Sequence, residues 1–219
     1  MSFKAVIFDL DGTLVNSLDD LAEACNRSLS KFGYPIHPLE AYKKFVGEGA
    51  KHLVTQALPP AARKEVEINR LLALFQQDYQ TQAAVKTKPY EGVEALLAGL
   101  EALGTQKAIL SNKPHLLTVQ VVGHFLQSYS FHPVFGAREG VLRKPDPAGA
   151  LEICRAWGLA PDQVLYLGDT AIDMKTATQA GCFPLGAAWG FRPEELNASG
   201  ARAIVQSPLE VLELVRSGP

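Results

Sequence analysis

Long apolar runs are missing from this sequence. None approaches the roughly 18 residues that a membrane-spanning helix requires, so no membrane partner is expected. The N-terminal stretch MSFKAVIFDLDG sets only Ala5 to Phe8 between the charges of Lys4 and Asp9, too short for the core of an export signal. Cysteine is scarce. Cys25, Cys154 and Cys182 are odd in number, far apart and never in a C-x-x-C spacing, which argues against a disulfide framework or a zinc site and for a reducing, cytoplasmic setting. Neither sign of charge is in excess: 21 Lys and Arg face 23 Asp and Glu, for a formal net charge of -2. No basic field is available to gather nucleic acid. The five histidines show no metal-ligand spacing, and no G-x-S-x-G elbow, P-loop or G-x-G-x-x-G occurs.

What the chain does contain is ordinary for a globular protein. Of 219 residues, 47% are hydrophobic and 20% charged, enough apolar material for a core in one or two domains. Ala5 to Phe8 form an apolar run ending in Asp-Leu-Asp-Gly, as a strand buried on both faces of a parallel sheet would. Leu18, Leu21, Ala22, Cys25, Leu29 and Phe32 then follow helical spacing, with Ser17 and Asp20 offering a capping box and Gly33 a stop. Ile68, Leu71, Leu72, Phe75 and Tyr79 repeat the pattern. From Glu91 onward helices and strands alternate: helix near 91–103, strand Lys107 to Leu110, helix near 115–126, strand near Val134. A helix near 147–157, strand Val164 to Leu167, helix near 171–180 and strand Phe183 to Ala187 follow. This alternation argues for a parallel α/β sheet. Residues 1–15 and 87–219 are read as its core, and residues 16–86 as a helical insertion with hinges near Val15 and Val85.

Chemistry gathers at the strand ends, where open α/β sheets bind ligands. Asp9 and Asp11 flank Leu10, and extended geometry would turn both carboxylates to one side before Gly12 turns the chain. Asp169 and Asp173, in GDTAIDM, follow a second strand. Each pair has a plainer explanation, as acids of a turn or as a helix-dipole complement. Together, four carboxylates repel one another unless a proton or a cation intervenes, and a hard divalent ion such as magnesium is the economical choice. Ser111 and Asn112, closing AILSN, are candidates to bind phosphate, as is Lys144 in RKPDP; a solvated loop lysine is the alternative for Lys144. Lys113 and Arg143 are read as solvated charges.

These residues resemble the haloacid dehalogenase superfamily, whose four motifs appear in order as DLDGT (Asp9 to Thr13), LSN (Leu110 to Asn112), RKPDP around Lys144, and GDTAID (Gly168 to Asp173). The resemblance implies a Rossmann-like core, with Asp9 as nucleophile, Asp11 as general acid/base, and Ser111 and Lys144 on the phosphoryl group. It also implies Mg2+ bound by Asp9, the main-chain carbonyl of Asp11 and Asp169, supported by Asp173. The insertion looks like the small helical cap of the phosphoglycolate phosphatase-like branch, to which FVGEGAKHLV (Phe45 to Val54) and AAWGF (Ala187 to Phe191) are also similar. The expected activity is hydrolysis of a small phosphate monoester, 2-phosphoglycolate foremost, by a monomer or homodimer. A phosphomutase, a pyrophosphatase and a non-catalytic phosphate sensor are the alternatives. Gly47 and Lys51 are the candidate substrate contacts of the insertion, which is expected to close over the site. Lys51 either attracts a substrate carboxylate or is a solvated lysine.

Overall fold

The computed structural model describes residues 3–82 and 84–217. Six parallel strands form the main sheet, in the order β5-β4-β1-β6-β7-β8. They are β1 (Ala5–Phe8), β4 (Gln106–Pro114), β5 (Val134–Ala137), β6 (Val164–Gly168), β7 (Phe183–Ala187) and β8 (Ala203–Val205). The central strand β1 pairs with β4 on one side and β6 on the other, Ala5 standing opposite both Gln106 and Val164. Its four side chains alternate between two cores, as the two-residue period of a strand demands. Val6 and Phe8 join a cluster with α5 (Val93–Ala102), α6 (His115–Phe125) and α9 (Pro208–Ser217). Ala5 and Ile7 join another with α7 (Ala148–Trp157) and α8 (Ala171–Ala180). Helices on both faces explain why β1 reads as a continuous apolar run.

The chain leaves this core through β2 (Val15–Asn16) and returns through β3 (Lys88–Pro89), which pair antiparallel with Val15 opposite Pro89. Between them lie α1 (Leu18–Lys31), α2 (Leu39–Phe45), α3 (Ala50–Ala57) and α4 (Glu65–Gln82). These helices share a separate apolar cluster, to which α1 gives Leu18, Leu21, Ala22, Cys25 and Leu29 and α4 gives Ile68, Leu71, Phe75 and Tyr79. The helical spacing of both sets is what lets one face of each helix be buried. Among the described residues no helix is long and apolar enough to cross a membrane.

Three features depart from the expectations above. The two short strands β2 and β3, the helices α2 and α3, and the terminal pair β8 and α9 are too short or too weakly patterned to stand out. Strand β4 runs to Pro114 rather than stopping at Leu110, so Ser111, Asn112 and Lys113 lie inside a strand. Ser17 and Asp20 do not cap α1 in the expected box. The Ser17 hydroxyl donates to Asp11 Oδ1 at 2.6 Å, while the buried Asp20 carboxylate accepts the backbone N–H of Lys86 and of Thr87 and the Thr87 hydroxyl, the last at 2.6 Å.

Asp20 thus ties the return crossing to the first helix of the insertion. Asp20→Ala leaves buried donors without a partner, at about 1–3 kcal/mol. Urea unfolding of that variant should show a loss in this range, and Asp20→Asn, which keeps one acceptor oxygen, a smaller one.

Candidate active site

Asp9 follows β1 directly and continues its pairing, its N–H donating to the carbonyl of Leu167 at 2.9 Å. The chain then turns at Gly12, whose φ of 88° is open to glycine and strained for other residues. A Cβ at Gly12 would also run into the Asp169 carboxylate. β1 is also where the topology switches direction, since the chain runs from β1 outward to β4 and later from β6 outward to β7. The crevice beyond these strand ends is where an α/β sheet places its ligands.

Two ion-pair clusters occupy this crevice. In the first, Lys144 Nζ lies 2.8 Å from Asp9 Oδ1 and 2.7 Å from Asp173 Oδ1. The other oxygen of Asp173 accepts the N–H and hydroxyl of Thr170, so Asp173 both caps α8 and holds the lysine. Asp169 is fully buried and accepts from the Thr13 hydroxyl at 3.1 Å and from the Phe191 N–H at 2.8 Å. Trp189 Nε1 donates to the Thr13 carbonyl at 2.9 Å, so the AAWGF segment braces both carboxylate-bearing loops. In the second cluster, Lys113 Nζ contacts both oxygens of Asp11 at 3.0 Å and the Tyr79 hydroxyl at 2.8 Å.

Burial disfavours charge on Asp9 and the nearby Asp173 adds repulsion; Lys144 opposes both, and the Asp9 pKa comes to rest at about 7. Burial, then Asp173 and Asp9, push Asp169 well above the usual carboxylate range. For Lys144 burial works against the ammonium, but Asp173 and Asp9 outweigh it and hold its pKa well above the ordinary lysine value. With all four carboxylates ionised, the two ammonium groups would leave two negative charges uncompensated, a deficit that one divalent cation could fill. Carboxylate oxygens of Asp9, Asp169 and Asp173 lie within 4.8 Å of one another, an all-oxygen donor set that suits a hard cation.

The sequence-derived residues are thus largely brought together, with different partners for some. Asp9 and Asp11 both line the crevice, each carboxylate facing its own lysine. Ser111 lies in the crevice wall, its Oγ accepting the Lys113 N–H at 3.2 Å. The Asn112 side chain is spent on the protein: its amide donates to the Gly47 and Lys144 carbonyls and its oxygen accepts the Lys144 N–H, all at 3.0 Å. It positions Lys144 rather than presenting its side chain to a phosphate. Gly47 stands at the crevice wall in a φ of 115°, next to the Arg192 guanidinium. Lys51 points elsewhere, pairing with Glu65 at 2.6 Å on the exposed side of the insertion. Lys113 corrects the reading of a solvated charge, being only 6% exposed. Sequence alone misses it because the apolar run ends at Leu110, whereas β4 continues to Pro114. Tyr79 was visible only as one apolar position of α4.

The profile of the haloacid dehalogenase-like hydrolase family matches residues 6–187. A phosphoglycolate phosphatase of Thiobacillus denitrificans is 30% identical over 98% of this chain and 96% of its own length. One from Haemophilus influenzae is 33% identical over 86% and 87%. Among solved structures, a protein of Haemophilus somnus predicted to be a phosphoglycolate phosphatase superposes with a TM-score of 0.91 at 29% identity, covering 98% of each chain. With the order of its sheet, the carboxylates at its strand ends and these relatives all in agreement, the chain belongs to the haloacid dehalogenase-like hydrolase family.

Proposed function

We propose that this hydrolase is a magnesium-dependent phosphatase that cleaves a small phosphate monoester, 2-phosphoglycolate foremost, through a phosphoryl group carried on Asp9. The observation that carries this reading is the contact of Asp9 with Lys144 in a crevice that also gathers Asp169 and Asp173. A carboxylate so placed can act as nucleophile, and the ammonium beside it can receive the negative charge of an arriving phosphoryl group. The names of the relatives point to the same ester. The cavity between insertion and core is narrow, with about 50 Å³ of water-accessible space, which admits a small ligand and not a macromolecule.

Asp9, the Asp11 carbonyl and Asp169 would hold the ion, with Asp173 behind them. When bound, it supplies positive charge against the phosphoryl oxygens and lets the clustered carboxylates stay ionised. Asp9 attacks phosphorus, and the oxygen–phosphorus bond to the leaving group breaks as that oxygen takes a proton from Asp11. Asp11 then removes a proton from the water that hydrolyses the acyl phosphate, and Asp9 is returned as a carboxylate. Lys144 stays on the phosphoryl group throughout, held in place by Asn112. The insertion closes over the site and excludes bulk water.

The following outcomes test this reading. Asp9→Asn should abolish both turnover and labelling of the protein by a 32P-phosphate ester while leaving the circular dichroism spectrum unchanged; residual hydrolysis near the original rate would remove Asp9 from the nucleophile role. Asp11→Asn should lower kcat by roughly 10²–10⁴, the usual worth of a general acid/base, with magnesium affinity retained because only its carbonyl is a ligand. Chelation should stop turnover and magnesium restore it, and Asp169→Asn should raise the magnesium needed for half-maximal rate by roughly 10–100-fold or more. In a panel of 2-phosphoglycolate, pyrophosphate and hexose phosphates, the first should have the highest kcat/KM. Phosphoryl transfer to an added sugar phosphate in place of phosphate release would favour a mutase instead.

A further inference from the structure

We propose that Lys113 is a positioning residue for Asp11, and that through Tyr79 it makes the placement of Asp11 depend on helix α4 of the insertion. The inference rests on the acid/base role of Asp11 given above.

Three observations carry it. First, the Lys113 ammonium is buried, and a buried charge is retained only where its donors are satisfied. All three are spent inside the protein, two on the Asp11 oxygens at 3.0 Å and one on the Tyr79 hydroxyl at 2.8 Å. None remains for a ligand, so whatever Lys113 does for the reaction passes through Asp11. Second, the two contacts come from opposite sides of the crevice. Asp11 belongs to the turn after β1, Tyr79 to the last turns of α4, and Lys113 bridges them from the end of β4. The Tyr79 ring centroid lies 4.7 Å from Nζ, and the ring itself stacks on Phe75 at 5.6 Å within the apolar cluster of the insertion. Third, the remaining grip on Asp11 also comes from the crossing region, where the Ser17 hydroxyl reaches Oδ1 at 2.6 Å.

With α4 docked, Lys113 is shared between Tyr79 and Asp11, and the Asp11 carboxylate has a fixed orientation. When α4 moves away, water replaces the tyrosine hydroxyl and ring, the local dielectric rises, and the hold of Lys113 on Asp11 weakens. Asp11 is therefore set for proton transfer in the docked arrangement.

The test compares Lys113→Met, Tyr79→Phe and the double variant with the parent protein, using 2-phosphoglycolate and 4-nitrophenyl phosphate with magnesium. A glycolate leaving group needs a proton, whereas nitrophenolate departs without one. Lys113→Met should lower kcat on 2-phosphoglycolate by roughly 10²-fold, the lower end of a general acid's worth, with KM changed less than about threefold. On 4-nitrophenyl phosphate it should keep a rapid burst of one nitrophenolate per site and then turn over slowly, because hydrolysis of phospho-Asp9 still needs Asp11. Tyr79→Phe should give the same pattern with a smaller loss, and the double variant no more loss than Lys113→Met alone, as for residues acting in one chain. Crystal structures of the two single variants should show the Asp11 carboxylate displaced from its parent position.

A rise in KM confined to 2-phosphoglycolate would make Lys113 a carboxylate-binding residue and overturn the proposal. Full additivity of the two substitutions, or an undisturbed Asp11 in both crystal structures, would overturn it too. If Lys113→Met does not fold, Tyr79→Phe carries the same kinetic and crystallographic readouts. If the parent protein hydrolyses no ester, the phosphatase reading falls, while the position of Asp11 in the variant structures still decides whether Lys113 sets it.

Discussion

Negative charge confined to the carboxyl ends of β1 and β6 is the constraint on which the rest of the site depends. Asp9, Asp169 and Asp173 are buried close together, and every group around them answers that charge. Lys144 meets two of the three carboxylates. Thr13 and the Phe191 N–H donate to the Asp169 oxygens, and Thr170 to the second oxygen of Asp173. Burial and mutual repulsion raise the pKa values of Asp9 and Asp169, and a proton or a cation would relieve that repulsion.

The second cluster has a different logic. Asp11 and Lys113 neutralise each other, and the pair is completed by a hydroxyl from the helical insertion. One residue after another at the end of β4 is used for support: the Ser111 oxygen accepts the Lys113 N–H, Asn112 fixes the Lys144 main chain and reaches the Gly47 carbonyl, and Lys113 joins Asp11 to Tyr79. Strand β4 is therefore the element through which core and insertion register against each other. Asp20, which ties the Lys86–Thr87 crossing to α1, sets the other end of that relation.

Much of this was legible in the residues. The apolar run Ala5 to Phe8 announced a strand buried on both faces, and β1 is central, flanked by β4 and β6. The spacing of Leu18, Leu21, Cys25 and Leu29 announced α1, and Ala171 to Ala180 announced α8. Less was legible where elements are short. The ribbon of β2 and β3 has two residues in each strand and carries no period to read. Ser17 and Asp20 matched a capping box by sequence, yet more distant partners, Asp11 and Thr87, claimed their side chains. A short polar side chain bonds whichever partner the tertiary arrangement brings nearest.

By itself the sequence determined that carboxylates would stand at two strand ends, while Ser111, expected past the end of a strand, lies inside β4. Strand periodicity and the turn at Gly12 are local properties, written within a few residues. Only the tertiary structure decided which lysine meets which acid. Lys113 and Asp11 are 102 residues apart, Lys113 and Tyr79 34, and no local pattern distinguishes their contact from the surface pairing of Lys51 with Glu65. The physical reason is that a lysine is buried or solvated according to what packs over it. Here that depends on how far β4 continues past Leu110 and on where α4 comes to rest.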